Sequence, residues 1–149
     1  MSMPRFVGII RVKPQEIKSD ELVSDEEIEK IGMQIAIEYE KKQGRKPKDV
    51  SSENLGFDIR SVDKEGNIRY IEVKTRAKVG KIALTQNEWF KAQRFGNDYY
   101  LYVIFNATTS PQLFIIQNPA KNLKPEAKIE MVRYFVDGKE ILKVGEKQV

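Results

Sequence analysis

Two neighbouring stretches in the middle of the chain alternate apolar and polar residues, which is the pattern of a β-strand with one buried face. The first covers residues 56–60 and the second covers residues 69–74. Residues 63–67 between them read Asp-Lys-Glu-Gly-Asn, whose aspartate, glycine and asparagine are typical of a hairpin turn. The pattern therefore predicts an antiparallel β-hairpin at the centre of the chain.

The register of this hairpin decides which polar side chains lie together. One register sets Asp58 opposite Glu72, with Lys74 two residues further along the same face. A register shifted by one residue would set Asp58 opposite Val73 and divide the apolar residues between the two faces, which burial of one face disfavours. We therefore expect Asp58, Glu72 and Lys74 to project together from the side opposite the core. The apolar side chains expected on the core side are Phe57, Ile59, Ile71 and Val73.

Two facing carboxylates indicate a bound cation. Facing Cβ atoms in a strand pair lie about 5 Å apart, so Asp58 and Glu72 repel each other unless a cation lies between them. Mg²⁺ prefers oxygen ligands and keeps waters for a phosphate, and the Lys74 ammonium beside it can orient water or stabilise developing negative charge. The same residues also suit a surface hairpin with ordinary cross-strand ion pairs, and residue type alone does not separate the two interpretations.

Two capping boxes mark the starts of helices. Ser24 is followed three residues later by a glutamate and then by apolar residues at helical spacing, which predicts a helix over residues 25–43 that stops at Gly44. Thr85 and Glu88 form the second capping box, and the helix that it opens closes at Gly96. In the first predicted helix, Glu38 borders the apolar stripe and Glu40 lies one step further round. Either could reach a metal site, and either could be a solvated helical glutamate.

The remaining apolar runs predict further strands. Residues 99–105 form a near-continuous apolar run, as expected of a central buried strand, and residues 113–116 form another that ends before Asn118 and Pro119. Short strands are expected at 6–12 and 49–52, a linker at 15–23, a loop at 121–126, and a terminal hairpin at 129–136 and 140–144. These elements predict an α/β sandwich with a mixed central sheet flanked by helices. We expect an N-terminal strand and linker at 1–23, a core at 24–118 and a C-terminal extension at 119–149.

Composition narrows the chemistry. The chain has 149 residues, which is enough for one domain with a core, and neither cysteine nor histidine. Thiolate metal sites, disulfides, histidine metal sites and Ser-His or Cys-His hydrolases are therefore excluded, and any metal must be held by oxygen. No apolar run reaches membrane-spanning length and no signal peptide is visible, so a cytoplasmic protein is expected.

The charge pattern suggests an anionic partner. The net charge is +4, and cations are concentrated after the first predicted helix and after the hairpin. Both groups could contact a phosphate backbone, although a basic helix C-terminus also complements the macrodipole with no ligand. Free backbone N–H groups in the first turn of the second helix also favour a phosphate. The candidate nucleic-acid-binding residues are Lys41, Lys42, Arg45, Lys46, Lys48, Arg76, Lys78, Lys81, Gln86 and Asn87.

The order of elements and the spacing of motifs resemble those of a known class of nucleases. An Asp on the second strand and Glu-x-Lys on the third, after a helix, resemble the restriction-endonuclease-like fold of the PD-(D/E)xK nuclease superfamily. Within it, residues 24–106 are similar to the family that includes the C-terminal domain of the protein NO VEIN, whose domains are often attached to helicase-like or ATPase proteins. The matching motifs are Tyr39-Glu40, Gly44-Arg45, Asp49-Val50-Ser51, Gly56-Phe57-Asp58-Ile59, Tyr70-Ile71-Glu72-Val73-Lys74 and Leu84-Thr85-Gln86-Asn87-Glu88-Trp89.

The resemblance implies a role for each matching residue. Asp58 and Glu72 match the metal-binding acids, the backbone carbonyl of Val73 a further oxygen ligand, and Lys74 the catalytic lysine. Phe57 stands where the superfamily motif has a proline before the aspartate, and this change matters little because the proline takes no part in the chemistry. Related nucleases often have a glutamate early in the first helix near Gly32; this chain has Met33 and Gln34 there, which leaves Glu38 or Glu40 as substitutes.

The resemblance implies a Mg²⁺-dependent endonuclease, with Mn²⁺ possible, that hydrolyses phosphodiester bonds in DNA. Its expected setting is DNA repair, restriction or helicase-associated processing, with a helicase or ATPase as partner or fusion. The alternatives are a catalytically silent nuclease-fold module for DNA or protein docking, and a structural domain that binds no nucleic acid. The mild net charge leaves RNA open as a substrate.

Overall fold

A computed structural model of the chain describes residues 6–11, 23–127 and 134–148, with residues 6–11 described by their backbone. In these ranges the architecture is mixed α/β, a single sheet with helices on its faces. The strands are β1 (Phe6–Arg11), β2 (Lys46–Asp49), β3 (Ile59–Val62), β4 (Ile68–Thr75), β5 (Tyr99–Phe105) and β6 (Gln112–Gln117). The helices are α1 (Asp25–Lys42), α2 (Gln86–Phe95), α3 (Pro119–Asn122) and α4 (Gly138–Val144).

The six strands form one mixed sheet in the order β1-β6-β5-β4-β3-β2. Strands β4 and β5 pair in parallel, and α2 lies in the connection between them. The other neighbouring pairs are antiparallel. The fold class expected from the sequence, an α/β structure with a mixed sheet and flanking helices, is confirmed.

Helix α1 covers one face of the sheet. Ser24 caps it by accepting a hydrogen bond from the Glu27 backbone N–H, as the capping box predicted, and the chain turns away at Gly44, whose φ is 81°. The buried apolar side chains of α1, among them Ile31 and Ile35, pack against the β3 and β4 residues Ile59 and Ile71 in one cluster. Burial of this stripe is what fixes the helix on the sheet.

Helix α2 lies on the opposite face of the sheet. Ala92 and Tyr99 form a second buried cluster together with Val50 and Phe57, and Tyr70 stacks on Phe95 with ring centroids 4.0 Å apart. A third cluster lies further along the same face. The core residues of that third cluster are Leu101, Val103 and Ile116, with Ile82, Leu84, Phe105, Phe114 and Leu123 packed against them.

Three expectations are wrong. Phe57 does not share a face with Ile59: it packs with Tyr70 and Phe95 on the α2 side, because β3 starts only at Ile59 and strand alternation does not extend back to Phe57. The edge strand runs over Lys46–Asp49, and residues 51–53 form a 3₁₀ turn in place of the strand expected at 49–52. The segment 140–144, expected as a hairpin strand, belongs to α4, which Asp137 caps through the Lys139 backbone N–H.

Most other elements agree with the sequence. The two longer helices, the long apolar strand Tyr99–Phe105, the strand after it and the N-terminal strand occur where they were expected. The expected loop at 121–126 begins with the last turn of α3. The linker expected at 15–23 and the first strand of the terminal hairpin lie largely outside the described residues. No helix in the described ranges has the length and apolar character needed to cross a bilayer.

Candidate active site

The hairpin of β3 and β4 has the register that the sequence favoured. Ile59 faces Ile71 and Val62 faces Ile68, and Gly66 in the connecting turn has a φ of 86° that suits glycine. Asp63 closes the turn, because its carboxylate accepts hydrogen bonds from the backbone N–H groups of Glu65 and Asn67. A shift by one residue would have placed Ile59 and Ile71 on opposite faces of the sheet, so only one of them could pack against α1.

Asp58 lies immediately before the first paired residue of β3. Its backbone N–H donates to the carbonyl of Ile71 over 2.8 Å, and its carboxylate Oδ2 accepts from the Val73 backbone N–H over 2.9 Å. The side chain therefore takes the place of a backbone acceptor where the ladder ends. This contact holds Asp58 against the middle of β4, beside Glu72.

Glu72 and Lys74 project from β4 toward α2. The Glu72 side chain is 4% exposed and the Lys74 side chain 22% exposed, and Lys74 Nζ lies 3.5 Å from Glu72 Oε1. Val73 between them packs on the α1 face, as strand alternation requires. The prediction that Asp58, Glu72 and Lys74 project together is confirmed, but the side that they share faces α2 and carries further core clusters, so it is not a side without a core.

Glu88 completes this cluster from the first turn of α2. Its Oε1 lies 2.9 Å from Lys74 Nζ and also accepts from the Thr85 backbone N–H over 2.8 Å, while the Thr85 hydroxyl accepts from the Glu88 N–H over 3.1 Å. The capping box was evident in the sequence, but the ion pair with Lys74 was not. The parallel crossover brings together residues that are distant in the chain, and no local pattern reports such a contact.

These side chains line a cavity of about 400 Å³. Glu29 and Met33 of α1 also border it, although neither was singled out from the sequence as a site residue. Both belong to the first turns of the helix, where Gly32 lies directly on Thr75 at the end of β4. The full lining is Glu29, Met33, Ser51, Asp58, Glu72, Val73, Lys74, Thr75, Arg76, Ile82, Ala83 and Glu88.

Burial and mutual repulsion change how the carboxyl groups titrate. Burial, then a hydrogen bond with Glu88 and the charge of Asp58, raise the pKa of Glu72 to about 10. Burial likewise raises the pKa of Asp58, although the Val73 N–H partly offsets this. Burial opposes ionisation of Glu88, but hydrogen bonds from Glu72, the Thr85 N–H and Lys74 outweigh it and lower its pKa. Near neutral pH Glu72 therefore holds a proton, while Glu88 carries negative charge.

Lys74 carries the positive charge of the site. Burial favours its neutral amine, but the hydrogen bond to Glu88 and the charges of the neighbouring carboxylates, of which Glu72 gains its charge only at high pH, outweigh burial and raise the pKa of Lys74. Because Glu72 is protonated, the ion pair of Lys74 is with Glu88, and its longer contact with Glu72 contributes less.

Glu40, a candidate metal ligand from the sequence, is absent from the cavity wall. It is fully buried, where its two carboxylate oxygens accept from Arg45 over 2.7 and 2.8 Å and from the Tyr102 hydroxyl over 2.7 Å. The interpretation of Glu40 as a solvated glutamate is also wrong. Glu38 is exposed and accepts from Gln34, away from the cavity, as expected of a solvated helical glutamate. Arg45 is committed to this internal ion pair, which keeps its guanidinium from the solvent rim.

Most of the candidate phosphate contacts lie in two regions, one beside the cavity and one at the far end of α1. Arg76 lines the cavity, and Lys78 and Lys81 are exposed in the loop that follows β4. The exposed Lys41, Lys42 and Lys46 lie near the other end of α1. Gly32 contacts the last residue of β4, which places this part of α1 beside the cavity. Glu40 lies roughly 12 Å further along the helix and bonds to Tyr102, whose hydroxyl accepts from Arg69 near the start of β4. Lys48 is exposed on the edge strand, and Gln86 and Asn87 are exposed in the first turn of α2.

The fold and the cavity define a mixed α/β protein with an acidic cleft into which the partly buried Lys74 projects. The chain belongs to the family described as protein NO VEIN, C-terminal, whose family model matches residues 28–116, from the first turn of α1 to β6. All four residues of the central cluster lie in the matched part. Comparison with curated proteins gave no match. Comparison with solved structures gave none either.

Proposed function

We propose that this domain is a restriction-endonuclease-like nuclease of the PD-(D/E)xK type that hydrolyses phosphodiester bonds in DNA with Mg²⁺. The observation that carries the proposal is the convergence of Asp58, Glu72 and Lys74 in one cavity, from two neighbouring β-segments. An ordinary surface hairpin would leave its ion pairs in water, whereas these side chains are largely withdrawn from it.

The residues of the cavity suit an oxygen-coordinated divalent cation. Asp58 and Glu72 are neighbouring carboxyl groups with raised pKa values, and positive charge beside them would favour their ionised forms. Within the part of the chain that the structure describes, no group of three ligating side chains is arranged to bind a metal, so the proposed site uses two carboxylates and a backbone oxygen. Asp58, Glu72 and the backbone carbonyl of Val73 would hold Mg²⁺ or Mn²⁺, with waters completing the coordination. When bound, the ion would polarise a phosphoryl oxygen and lower the pKa of water.

Lys74 has the chemistry for the charge that develops during hydrolysis. Its ammonium is held in the cavity beside Glu72, and it has three donors, of which Glu88 takes one at 2.9 Å. A remaining N–H can donate to a non-bridging phosphoryl oxygen, whose negative charge grows as water attacks. Arg76, at the rim of the same cavity, and the nearby Lys78 and Lys81 supply positive charge for the flanking phosphates.

The test is a cleavage assay on single-stranded, duplex and branched DNA with Mg²⁺ or Mn²⁺. We expect Asp58→Ala and Lys74→Ala to reduce the rate at least about 100-fold, the scale of losing a main electrostatic contact in a transition state. Lys64→Ala, which removes an exposed lysine from the hairpin turn, is the matched control and should cleave at the wild-type rate. Equal activity in the wild type and the site variants would identify a contaminating nuclease and overturn the proposal.

A second candidate is a nuclease-fold module that binds DNA, or docks on a helicase or ATPase, without cleavage. The exposed cations around the cavity favour it, because backbone binding needs no hydrolysis. Binding that weakens with salt, equal in the wild type and Lys74→Ala and with no cleavage by either, would support this function over hydrolysis. Parallel titrations with DNA and RNA of one sequence would identify the preferred nucleic acid.

A further inference from the structure

We propose that Glu88 is a positioning residue that fixes the Lys74 ammonium for the reaction, so that the first turn of α2 is part of the catalytic framework. The inference rests on the proposed function, because it assigns a role within that site. Of the two carboxyl groups that contact Lys74, Glu88 is the nearer: its Oε1 lies 2.9 Å from Lys74 Nζ, whereas Glu72 Oε1 lies 3.5 Å away.

Lys74 needs such a partner because its side chain is long and flexible. Four rotatable bonds separate the ammonium from the backbone, and holding them in one rotamer has an entropic cost. An ion pair between charges that are largely withdrawn from water is stronger than a surface pair and can offset that cost; the side chains of Lys74 and Glu88 are 22% and 14% exposed. One carboxylate oxygen therefore directs the ammonium toward the cavity.

Glu88 is itself held rigidly. Its Oε1 accepts from the Thr85 backbone N–H while its own backbone N–H donates to the Thr85 hydroxyl, so both halves of the capping box are made. The oxygen that caps the helix is the same oxygen that contacts Lys74. Helix geometry thereby sets the position of the ammonium, as preorganised sites require.

The same turn of α2 also supports the segment that carries Asp58. A Cβ placed on Gly56 would lie 3.1 Å from the backbone oxygen of Asn87, and the φ of Gly56 is 84°, so a residue with a side chain could not pack here without strain. Asn87 also donates to the carbonyl of Asn54 over 3.4 Å. Helix α2 therefore fixes both the Lys74 side chain and the segment that leads into Asp58.

The experiment compares Glu88→Ala, Glu88→Gln and Thr85→Ala, each alone and with Lys74→Ala. Glu88→Ala should lower kcat about 10- to 100-fold at nearly unchanged KM, and Glu88→Gln, which keeps an acceptor oxygen, should recover part of the loss. Thr85→Ala keeps the backbone N–H that contacts Glu88, so it should lower Tm by a few degrees and leave kcat within about threefold. In the Lys74→Ala background, Glu88→Ala should cause no further loss.

Two kinetic results would overturn the inference. Thr85→Ala could reduce kcat as much as Glu88→Ala does, or the Glu88 and Lys74 losses could multiply; either would mean that Glu88 only stabilises the helix.

A second readout, the ¹⁵Nζ ammonium signal of Lys74 in NMR, needs no enzymatic activity. The signal should be protected from solvent exchange in the wild type and in Thr85→Ala, and it should be lost in Glu88→Ala. If the wild type is inactive but shows this NMR pattern, the proposed nuclease function is refuted, while the contact between Glu88 and Lys74 is supported. An active wild type with an unchanged signal in Glu88→Ala would refute the positioning role alone.

Discussion

At the scale of single residues, the site is defined by acids that are buried without an equal number of cations. Glu72 is 3% exposed, and Asp58 and Glu88 are its carboxyl neighbours, with Lys74 as the ammonium inside the cluster. Removing an ionised carboxylate from water is costly, so the metal-free protein keeps Glu72 protonated. The contrast with Glu40 is instructive: that glutamate is equally buried, but Arg45 and Tyr102 satisfy both of its oxygens.

The raised pKa of Glu72 makes stability depend on pH. Its pKa is about 10 in the folded protein against an ordinary 4.5, so the folded state holds a proton that the unfolded chain releases as pH rises. The stabilisation is therefore complete below about pH 4.5 and is lost progressively as pH rises toward 10. Thermal unfolding in EDTA should show a falling Tm across this range, with Glu72→Gln flatter and about 3 °C or more above the wild type at pH 8.

The control for this prediction is Glu38→Gln, which changes an exposed glutamate of α1 away from the cavity and should leave the pH profile of Tm as in the wild type. A wild type and a Glu72→Gln variant with parallel pH profiles would contradict the prediction. Such a result would mean that Glu72 ionises without penalty in the folded protein.

At the scale of elements, the site depends on how closely α1 and α2 approach β4. Helix α1 reaches the end of β4 because Gly32 has no side chain: a Cβ there would lie 2.8 Å from Thr75 Cβ and would also clash with the hydroxyl. Helix α2 reaches the cavity from the other face, where its capping box contacts Lys74. The cavity lies between these two contacts, so helix packing sets its walls.

Gly32→Ala should therefore destabilise the protein, even though alanine favours a helix by about 1 kcal/mol over glycine. The clash with Thr75 forces α1 away from β4, and we expect a net loss of about 1–3 kcal/mol in the free energy of unfolding. Urea titration measures it. Thr75→Ala in the same chain removes two of the clashing atoms and should recover part of the loss. A stabilised Gly32→Ala variant would contradict the close approach of helix and strand.

At the scale of the whole molecule, the direction of α1 decides which cations serve the cavity. Because α1 runs from the cavity toward the hairpin end of β4, its basic C-terminus lies away from the site, whereas the loop after β4 begins at the cavity. The two groups of candidate phosphate-binding cations therefore lie in separate regions of the surface. Of these two groups, the one with Arg76, Lys78 and Lys81 adjoins the candidate catalytic residues.

Substitution of these two groups should affect DNA binding differently. Changing Arg76, Lys78 and Lys81 together to alanine should weaken binding and lower the slope of log K against log salt by up to about 3, because each lost phosphate contact releases about one counterion fewer. Changing Lys41, Lys42 and Lys46 is the charge-matched control and should leave the slope near the wild-type value. Fluorescence anisotropy at several salt concentrations measures both. A larger effect from the control set would place the nucleic acid at the other end of α1.

The sequence by itself determined the elements and the central register. Strand alternation, capping boxes and turn residues are local, and the requirement that Ile59 and Ile71 share a buried face leaves one pairing that sets Asp58 beside Glu72. Local patterns failed where alternation stops or a short segment lacks a clear period. That is why Phe57 was assigned to the wrong face, and why residues 140–144 were taken for a strand when they form part of α4.

Only the tertiary structure decided which distant residues meet. The contact between Glu88 and Lys74 depends on a parallel crossover, and the burial of Glu40 with Arg45 and Tyr102 depends on where α1 ends above the sheet. A glutamate in a helix has the same local pattern whether water, an arginine or a catalytic lysine is its partner. Its role follows from packing between elements, and packing is the information that sequence periodicity does not contain.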